Sequence, residues 1–256
     1  MKKLMFTAVA AVLWGTVSAE IESANVVGYD QTALRFGSKG VGASFVNVSG
    51  GNIDIQDLTP VTEDYKPGDG YEDEEVELQI LNENGGTSRT FVWIDAGTTY
   101  PAGWYEDGEL ADYTFAPGEG FYAGAPDSTW SIQNAGAVPT EGIAVRLRFG
   151  SKHVVNPTPV AVNLNDYDND GKCILPSGTN YEPGDGYEDE EVELQILNEN
   201  GGTVRTFVWI DALPSYFGWY EDGELVENVQ ALPGEGFYAG APDNSWYINF
   251  PGVSIH

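Results

Sequence analysis

Apolar and polar residues alternate with a period of two in short runs along much of the chain. The clearest run is Val76–Ile80. Val76, Leu78 and Ile80 share one parity, and Glu75, Glu77 and Gln79 share the other. Successive side chains of a strand point to opposite faces, so this run predicts a half-buried strand. Arg89–Ile94 (RTFVWI) is rich in the β-branched and aromatic residues that suit strands. Between the two lies Asn82-Glu83-Asn84-Gly85-Gly86, and Asn-Gly is a strong hairpin-turn signal. The pattern predicts a β-hairpin and leaves its register open. A two-residue turn at Asn84-Gly85 sets Leu78 opposite Phe91, whereas a loop one residue longer sets Val92 or Thr90 there. A slip of one residue exchanges the two faces of the strand.

Further strands are predicted at Asn25–Tyr29, Thr32–Phe36, Ser44–Val48 and Trp130–Gln133. Trp104-Tyr105 and Leu110 flank a second turn with Asp107-Gly108 at its centre. Pro117-Gly118-Glu119-Gly120 turns into Phe121-Tyr122-Ala123. The acidic run Glu72–Glu75 suits a helix by propensity alone. Pro67, Gly68 and Gly70 precede it and β alternation follows, so a strand entry is the better reading. With many short strands, frequent Gly/Pro turns and no sustained helical period, the expected fold class is all-β, a sandwich or barrel-like fold.

Much of this pattern occurs twice. Tyr65–Ala96 recurs as Tyr181–Ala212, with differences only at Lys66/Glu182 and Ser88/Val204. GWYEDGEL appears at Gly103–Leu110 and Gly218–Leu225, and PGEGFYAGAPD at Pro117–Asp127 and Pro233–Asp243. The corresponding strands of the second copy are Val145–Phe149, Val160–Leu164, Val192–Ile196 and Arg205–Ile210. Each copy is domain-sized rather than solenoid-sized. We therefore expect two tandem homologous β domains, residues 20–138 and 139–256, with a seam at Val138–Gly142. So short a linker implies domains that touch or are held semi-rigidly.

The first residues read as a targeting segment. Lys2 and Lys3 form a positive start, Leu4–Trp14 an apolar stretch too short to span a bilayer, and Val17-Ser18-Ala19 a small-residue cleavage site. Residues 1–19 are thus expected to be a signal peptide, and the mature chain to be exported. Its final location would be periplasmic, cell-surface or extracellular, and no transmembrane segment is expected.

Charge narrows the partners. The chain holds 40 acidic and 11 basic residues, a net charge of −29, and loss of the signal peptide removes two of the lysines. Such a surface repels phosphate backbones, so no nucleic acid is expected as a partner. There are two histidines, His153 and His256, and one cysteine, Cys173. Ser-His-Asp and Cys-His catalysis are left almost without material, and no intrachain disulfide can form. With so many carboxylates, no acid pair stands out as a glycosidase dyad. The expectation is a non-enzyme.

Three features remain as candidate sites. Asp166-Tyr-Asp168-Asn-Asp170-Gly171-Lys172 matches the first half of a calcium loop. Three carboxylates at alternate positions converge on one hard cation, glycine makes the sharp turn, and the Lys172 carbonyl supplies a further oxygen. The place where an EF-hand has its glutamate holds Ser177, so this is not an EF-hand; a polar turn that binds nothing is the competing reading. Calcium is the one cofactor this pattern suggests. The duplicated acidic run, Asp69 and Glu72–Glu75 with Asp185 and Glu188–Glu191, reads more simply as a charged strand entry that resists edge-to-edge pairing. The repeated aromatics Trp104, Tyr105, Phe121 and Tyr122, with Trp219, Tyr220, Phe237 and Tyr238, suit either stacking on a sugar or packing in a core, and cores take most large aromatics. Of these, Trp104, Tyr105, Tyr122, Trp219, Tyr220 and Tyr238 are the ligand candidates.

At the Asn25-Val-Val-Gly-Tyr29 opening, the Gly-Trp-Tyr-x-x-Gly turn and the Pro-Gly-Glu-Gly-Phe-Tyr turn, the chain resembles a group of secreted bacterial proteins of uncharacterised function. These are built from one or more β repeats of this size. The resemblance covers nearly the whole mature chain. It implies a signal peptide and repeated β domains, and it implies no catalytic residues. The expected function is an exported, non-enzymatic structural or adhesive module at the cell surface or outside it, calcium-stabilised at the half-loop. Its partner would be a protein or polysaccharide, or a second copy of itself. The alternative is a carbohydrate-binding protein that uses the repeated Trp and Tyr residues.

Overall fold

A computed structural model describes residues 27–34, 37–47, 51–61, 76–82, 86–95, 100–125, 130–147, 150–165, 172–178, 192–198, 202–212, 216–243 and 245–253. The expected signal peptide, both acidic strand entries and Asp166–Gly171 lie outside these residues.

The described chain is all-β. The first half contains β1 (Val27–Ala33), β2 (Gly37–Val41), β3 (Ile53–Asp54), β4 (Thr59–Val61), β5 (Glu77–Leu81), β6 (Thr87–Ile94), β7 (Gly103–Glu106), β8 (Glu109–Leu110), β9 (Thr114–Phe115), β10 (Phe121–Ala125) and β11 (Ser131–Ala137). The second contains β12 (Ile143–Arg146), β13 (Gly150–Val155), β14 (Val162–Asn163), β15 (Leu175–Ser177), β16 (Glu193–Leu197), β17 (Thr203–Ala212), β18 (Tyr216–Glu221), β19 (Glu224–Leu225), β20 (Gln230–Ala231), β21 (Gly236–Ala241) and β22 (Tyr247–Phe250). One 3₁₀ turn, Ile55–Asp57, is described.

The two halves share one topology. A six-stranded sheet runs β2-β10-β5-β6-β7-β8 in the first and β13-β21-β16-β17-β18-β19 in the second. Three-stranded sheets run β1-β11-β4 and β12-β22-β15, and strand pairs β3-β9 and β14-β20 complete the set. All these pairings are antiparallel, and no described sheet closes into a barrel. In the first half, Leu78, Phe91, Trp93, Trp104 and Phe121 from the large sheet pack with Trp130 and Ile132 from the β11 side in one core. The second half repeats this with Leu194, Phe207, Trp209, Trp219 and Phe237 against Trp246 and Ile248. Burial of each such side chain contributes about 1.5–3 kcal/mol.

The hairpin register is settled by pairing. Leu78 faces Phe91 and Leu194 faces Phe207, both pairs fully buried. Nearer the turn a bulge between Ile80 and Leu81 sets Leu81 opposite Thr87, and Ile196/Leu197 repeats it. The Asn82 side chain accepts a hydrogen bond from the Gly86 amide at 3.0 Å and so closes the loop. The second turn is as expected: Asp107 and Gly108 have φ of 51° and 84°, and Asp222 and Gly223 have 50° and 83°. Positive φ at both central residues matches the twist of the flanking strands.

Other expectations shift. Ser44–Val48 is not a strand where it is described; Val46 makes an isolated two-way bridge with Ala137. Val160–Leu164 keeps only the two residues of β14. Directly after the predicted strands Thr32–Phe36 and Val145–Phe149, Gly37-Ser38-Lys39 begins β2 and Gly150-Ser151-Lys152 begins β13. These edge strands are short of apolar residues and draw their order from backbone pairing with β10 and β21.

Candidate functional sites

The repeated aromatics separate by depth. Trp104 and Trp219 are wholly buried, Tyr105 and Tyr220 are buried, and Tyr122 and Tyr238 are half-buried. Each buried tryptophan is also held at its polar end. The Trp104 indole N–H donates to the Leu58 carbonyl at 2.6 Å, and that of Trp219 to the Ile174 carbonyl at 2.8 Å. Each packs edge-on against a second indole, Trp93 at 5.4 Å and Trp209 at 5.3 Å. A ring with no exposed face has none to offer a sugar. The aromatic-platform expectation is therefore corrected at Trp104, Tyr105, Trp219 and Tyr220: β alternation turns the indoles into the core, and the neighbouring tyrosines are covered as well. The Tyr105 hydroxyl donates to the Pro101 carbonyl at 2.9 Å, and burial, with a smaller contribution from Tyr100, pushes its pKa up.

Tyr122 and Tyr238 lie where the two halves meet. The His153 ring is 5.6 Å from Tyr122 and nearly parallel to it, and 5.2 Å from Tyr238. His153 and Tyr238 are cross-strand neighbours, whereas Tyr122 comes from the other half. Backbone bonds join the halves in matching pairs. The Gly42 amide donates to the Gly234 carbonyl, and the Val155 amide to the Gly118 carbonyl, each at 2.9 Å. Bridges Val41–Glu235 and Glu119–Val154 repeat the relation, and Lys152 forms an ion pair with Glu119. Contacts in which i meets j and j′ meets i′ are those of an isologous, two-fold interface, here formed within one chain. Sequence reasoning missed this surface. Its signals were the Pro-Gly-Glu-Gly turn and the Ile80-Leu81 and Ile196-Leu197 pairs, which lie at this junction and are kept in both copies.

Of the calcium half-loop, Lys172 is described and exposed, while Asp166, Asp168 and Asp170 lie outside the described residues. The loop leaves from a firm anchor. Buried Asn165 donates to the Trp219 and Val226 carbonyls at 3.1 and 3.0 Å and accepts from the Trp219 amide at 2.8 Å. On the far side, buried Cys173 bridges Asn163. In the first half Gln56, on the 3₁₀ turn, makes the same three bonds to Trp104 and Ala111. Leu58 follows Gln56 by two positions and Ile174 follows Asn165 by nine, so the half-loop is an insertion at the place of that turn. Among the described residues, no group of three or more His, Cys, Asp or Glu is placed to hold a metal ion.

The ends of the large sheets away from this junction carry the remaining polar chemistry. Arg89 bonds Glu106 through both forks of its guanidinium, and Arg205 bonds Glu221 likewise, with Nε–oxygen distances of 2.7 and 2.8 Å. The hydrogen bond from each arginine, then its charge, holds the glutamate below the usual carboxylate range, against an opposing contribution from burial. Beyond each pair projects the Asp-Gly turn. Asp107–Leu110 and Asp222–Leu225 are exposed throughout, with Leu110 at 52% and Leu225 at 43%. Beside the second tip an open groove of about 580 Å³ is lined by Arg205, Glu221, Glu224, Leu225, Val226 and Glu227. The chain matches no family model, no curated protein and no solved structure. No helix among the described residues is long and apolar enough to cross a membrane.

Proposed function

We propose that the protein is an exported, non-enzymatic structural or adhesive module that binds a protein or polysaccharide at the cell surface through its two Asp-Gly hairpin tips. The observation that supports this most is the repetition of one exposed surface. Asp107-Gly-Glu-Leu110 and Asp222-Gly-Glu-Leu225 have the same sequence, the same turn and the same exposure. An exposed leucine beside carboxylates suits a contact with an apolar centre and a polar or cationic rim. Two such tips on one chain raise avidity when both engage at once. The buried tryptophans remove the observation that favoured a sugar platform. On this reading the inserted Asp166–Lys172 loop is a calcium clip that stabilises the second half and takes no part in the contact. The resemblance to secreted bacterial repeat proteins agrees with the signal-peptide pattern at residues 1–19.

The test is retention of periplasmically expressed mature protein on isolated cell envelopes. Intact mass should show a chain beginning at Glu20. Leu110→Glu or Leu225→Glu alone should weaken retention at least tenfold, and the double variant should abolish it. Retention of the double variant at the wild-type level would remove the tips as the contact, and an uncleaved chain would remove export.

A further inference from the structure

The junction between the halves is symmetric in its backbone and asymmetric in its side chains. β2 and β13 are equivalent strands that face each other across the pseudo-two-fold axis, and residues near that axis come in pairs. Gly40 in β2 holds the place of His153 in β13: Gly40 pairs with Tyr122 as His153 pairs with Tyr238. Gly42 likewise holds the place of Val155. The members of each pair meet. A Cβ at Gly40 would lie 3.0 Å from His153 Cδ2, and one at Gly42 would lie 2.7 Å from Val155 Cγ2. At these two positions the first half is small where the second is large. Two cavities at the junction are unequal as well, with Gly40 lining one and His153 the other. The one beside Gly40 and Ala231 measures about 150 Å³, and its counterpart, lined by His153 and Phe115, about 100 Å³.

We propose that Gly40 and Gly42 form a hole, and His153 and Val155 a knob, that together select pairing of unlike halves over pairing of like halves. Pairing two second halves would bring two imidazoles and two valines to one axis. Pairing two first halves would leave glycine against glycine and a void that forfeits packing. Unlike pairing avoids both, and the clash in the wrong pairing is how such a surface discriminates. The occupant of each surface is therefore the other half of the same chain. The linker Val138–Gly142 keeps it at an effective concentration on the order of millimolar. Without the asymmetry, first-to-first and second-to-second contacts would compete with the contact inside one chain and join one chain to another. The hole-and-knob pair turns a self-complementary repeat into a closed pair.

Four full-length mature chains realise all the axis combinations: wild type, G40H, H153G and G40H/H153G. The swap keeps one glycine and one histidine in the paired strands, so intrinsic strand preferences largely cancel. Gly40 has no positive φ, and with His153 gone the nearest neighbours of a Cβ there are at ordinary distance, so the backbone accepts a side chain at this position. Equilibrium urea unfolding is the readout. Each single variant should lower the folding equilibrium constant at least tenfold. The swap should recover to within about tenfold of wild type, a coupling expected only of residues in contact. Losses that simply multiply in the swap, or a G40H chain as stable as wild type, would overturn the proposal. If G40H does not fold at all, folding restored by the swap supports the proposal and a swap that also fails to fold refutes it.

Discussion

Trp104 in the first half and Trp219 in the second are buried to the same depth by different helpers. Gln56 reaches the first from a 3₁₀ turn, and Asn165, one methylene shorter, reaches the second from the mouth of an inserted loop. Both make one acceptor bond to the tryptophan amide and two donor bonds to carbonyls of the β7–β8 or β18–β19 tip. What the two halves share is therefore a hydrogen-bonding demand rather than a residue. Buried backbone groups at the end of a sheet need partners, and leaving one unmade costs about 1–3 kcal/mol. Any carboxamide that reaches satisfies them. That freedom let the loop beside Asn165 lengthen while the tryptophan stayed in place.

The widest test of this equivalence is to remove the tryptophans. Trp104→Ala and Trp219→Ala should each cost about 3–5 kcal/mol in urea unfolding. The two losses should agree within about 1 kcal/mol. If either chain fails to fold, Trp→Phe at the same position is the milder change, keeping an aromatic ring while removing the indole N–H bond to Leu58 or Ile174. A gap of more than about 2 kcal/mol between halves would show that the two cores are not equivalent.

A finer test removes the helpers. Asn165→Ala should cost about 2–3 kcal/mol, since Asn165 is buried and the groups it leaves behind stay dry. Gln56→Ala should cost about 1 kcal/mol less, because Gln56 is half-buried and water can replace it. Equal losses measured by thermal or urea unfolding would contradict the role of burial in this difference.

The inserted loop separates the halves in a third way. If Asp166, Asp168, Asp170 and the Lys172 carbonyl hold calcium, the ion should stabilise the fold by mass action. The gain is about 1.4–2.7 kcal/mol at 10 to 100 times the dissociation constant. Asp168→Asn with Asp170→Asn should abolish the rise in Tm. Identical melting of the wild-type chain in calcium and in chelator would leave the loop as a turn.

Local rules were readable in advance where one strand's own pattern decided the outcome. The alternation at Val76–Ile80 and the Asp107-Gly108 turn both appear as expected. So does the all-β fold class, while the barrel-like alternative does not, since no described sheet closes. What was not legible depended on contacts between distant segments. Nothing near Trp104 in sequence says whether its ring faces core or solvent; that depends on a sheet that brings Leu58 over it. The meaning of Gly40 and His153 appears only when β2 faces β13. Gln56 and Asn165 do not align as identical residues, so a search for repeats passes over them.

The smallest expected difference lies in the arginines. Glu106 and Glu221 titrate below the usual carboxylate range in the folded chain because Arg89 and Arg205 hydrogen-bond their charged forms. A lowered folded pKa contributes stability that is present above the unfolded value, about 4.3, and is lost as pH falls through the folded value. The arginine side chains are 36% and 38% exposed, so solvent screening limits each pair to about 1 kcal/mol or less. Arg89→Met and Arg205→Met should therefore each destabilise the chain modestly at pH 7, and both deficits should shrink by pH 3. Comparison with wild type at each pH is needed, because 40 acidic residues give the whole chain an acid dependence of its own. The deficits should not shrink equally. The Arg89 guanidinium lies over two rings, Phe91 at 5.0 Å and Tyr113 at 4.6 Å, while that of Arg205 lies over Phe207 at 4.8 Å. A cation–π contact survives protonation of the glutamate and contributes about 0.5–1 kcal/mol. Arg89→Met should thus keep the larger deficit at pH 3. A deficit at pH 3 no larger for Arg89→Met than for Arg205→Met would show that the Tyr113 contact adds nothing and that the two pairs act alike.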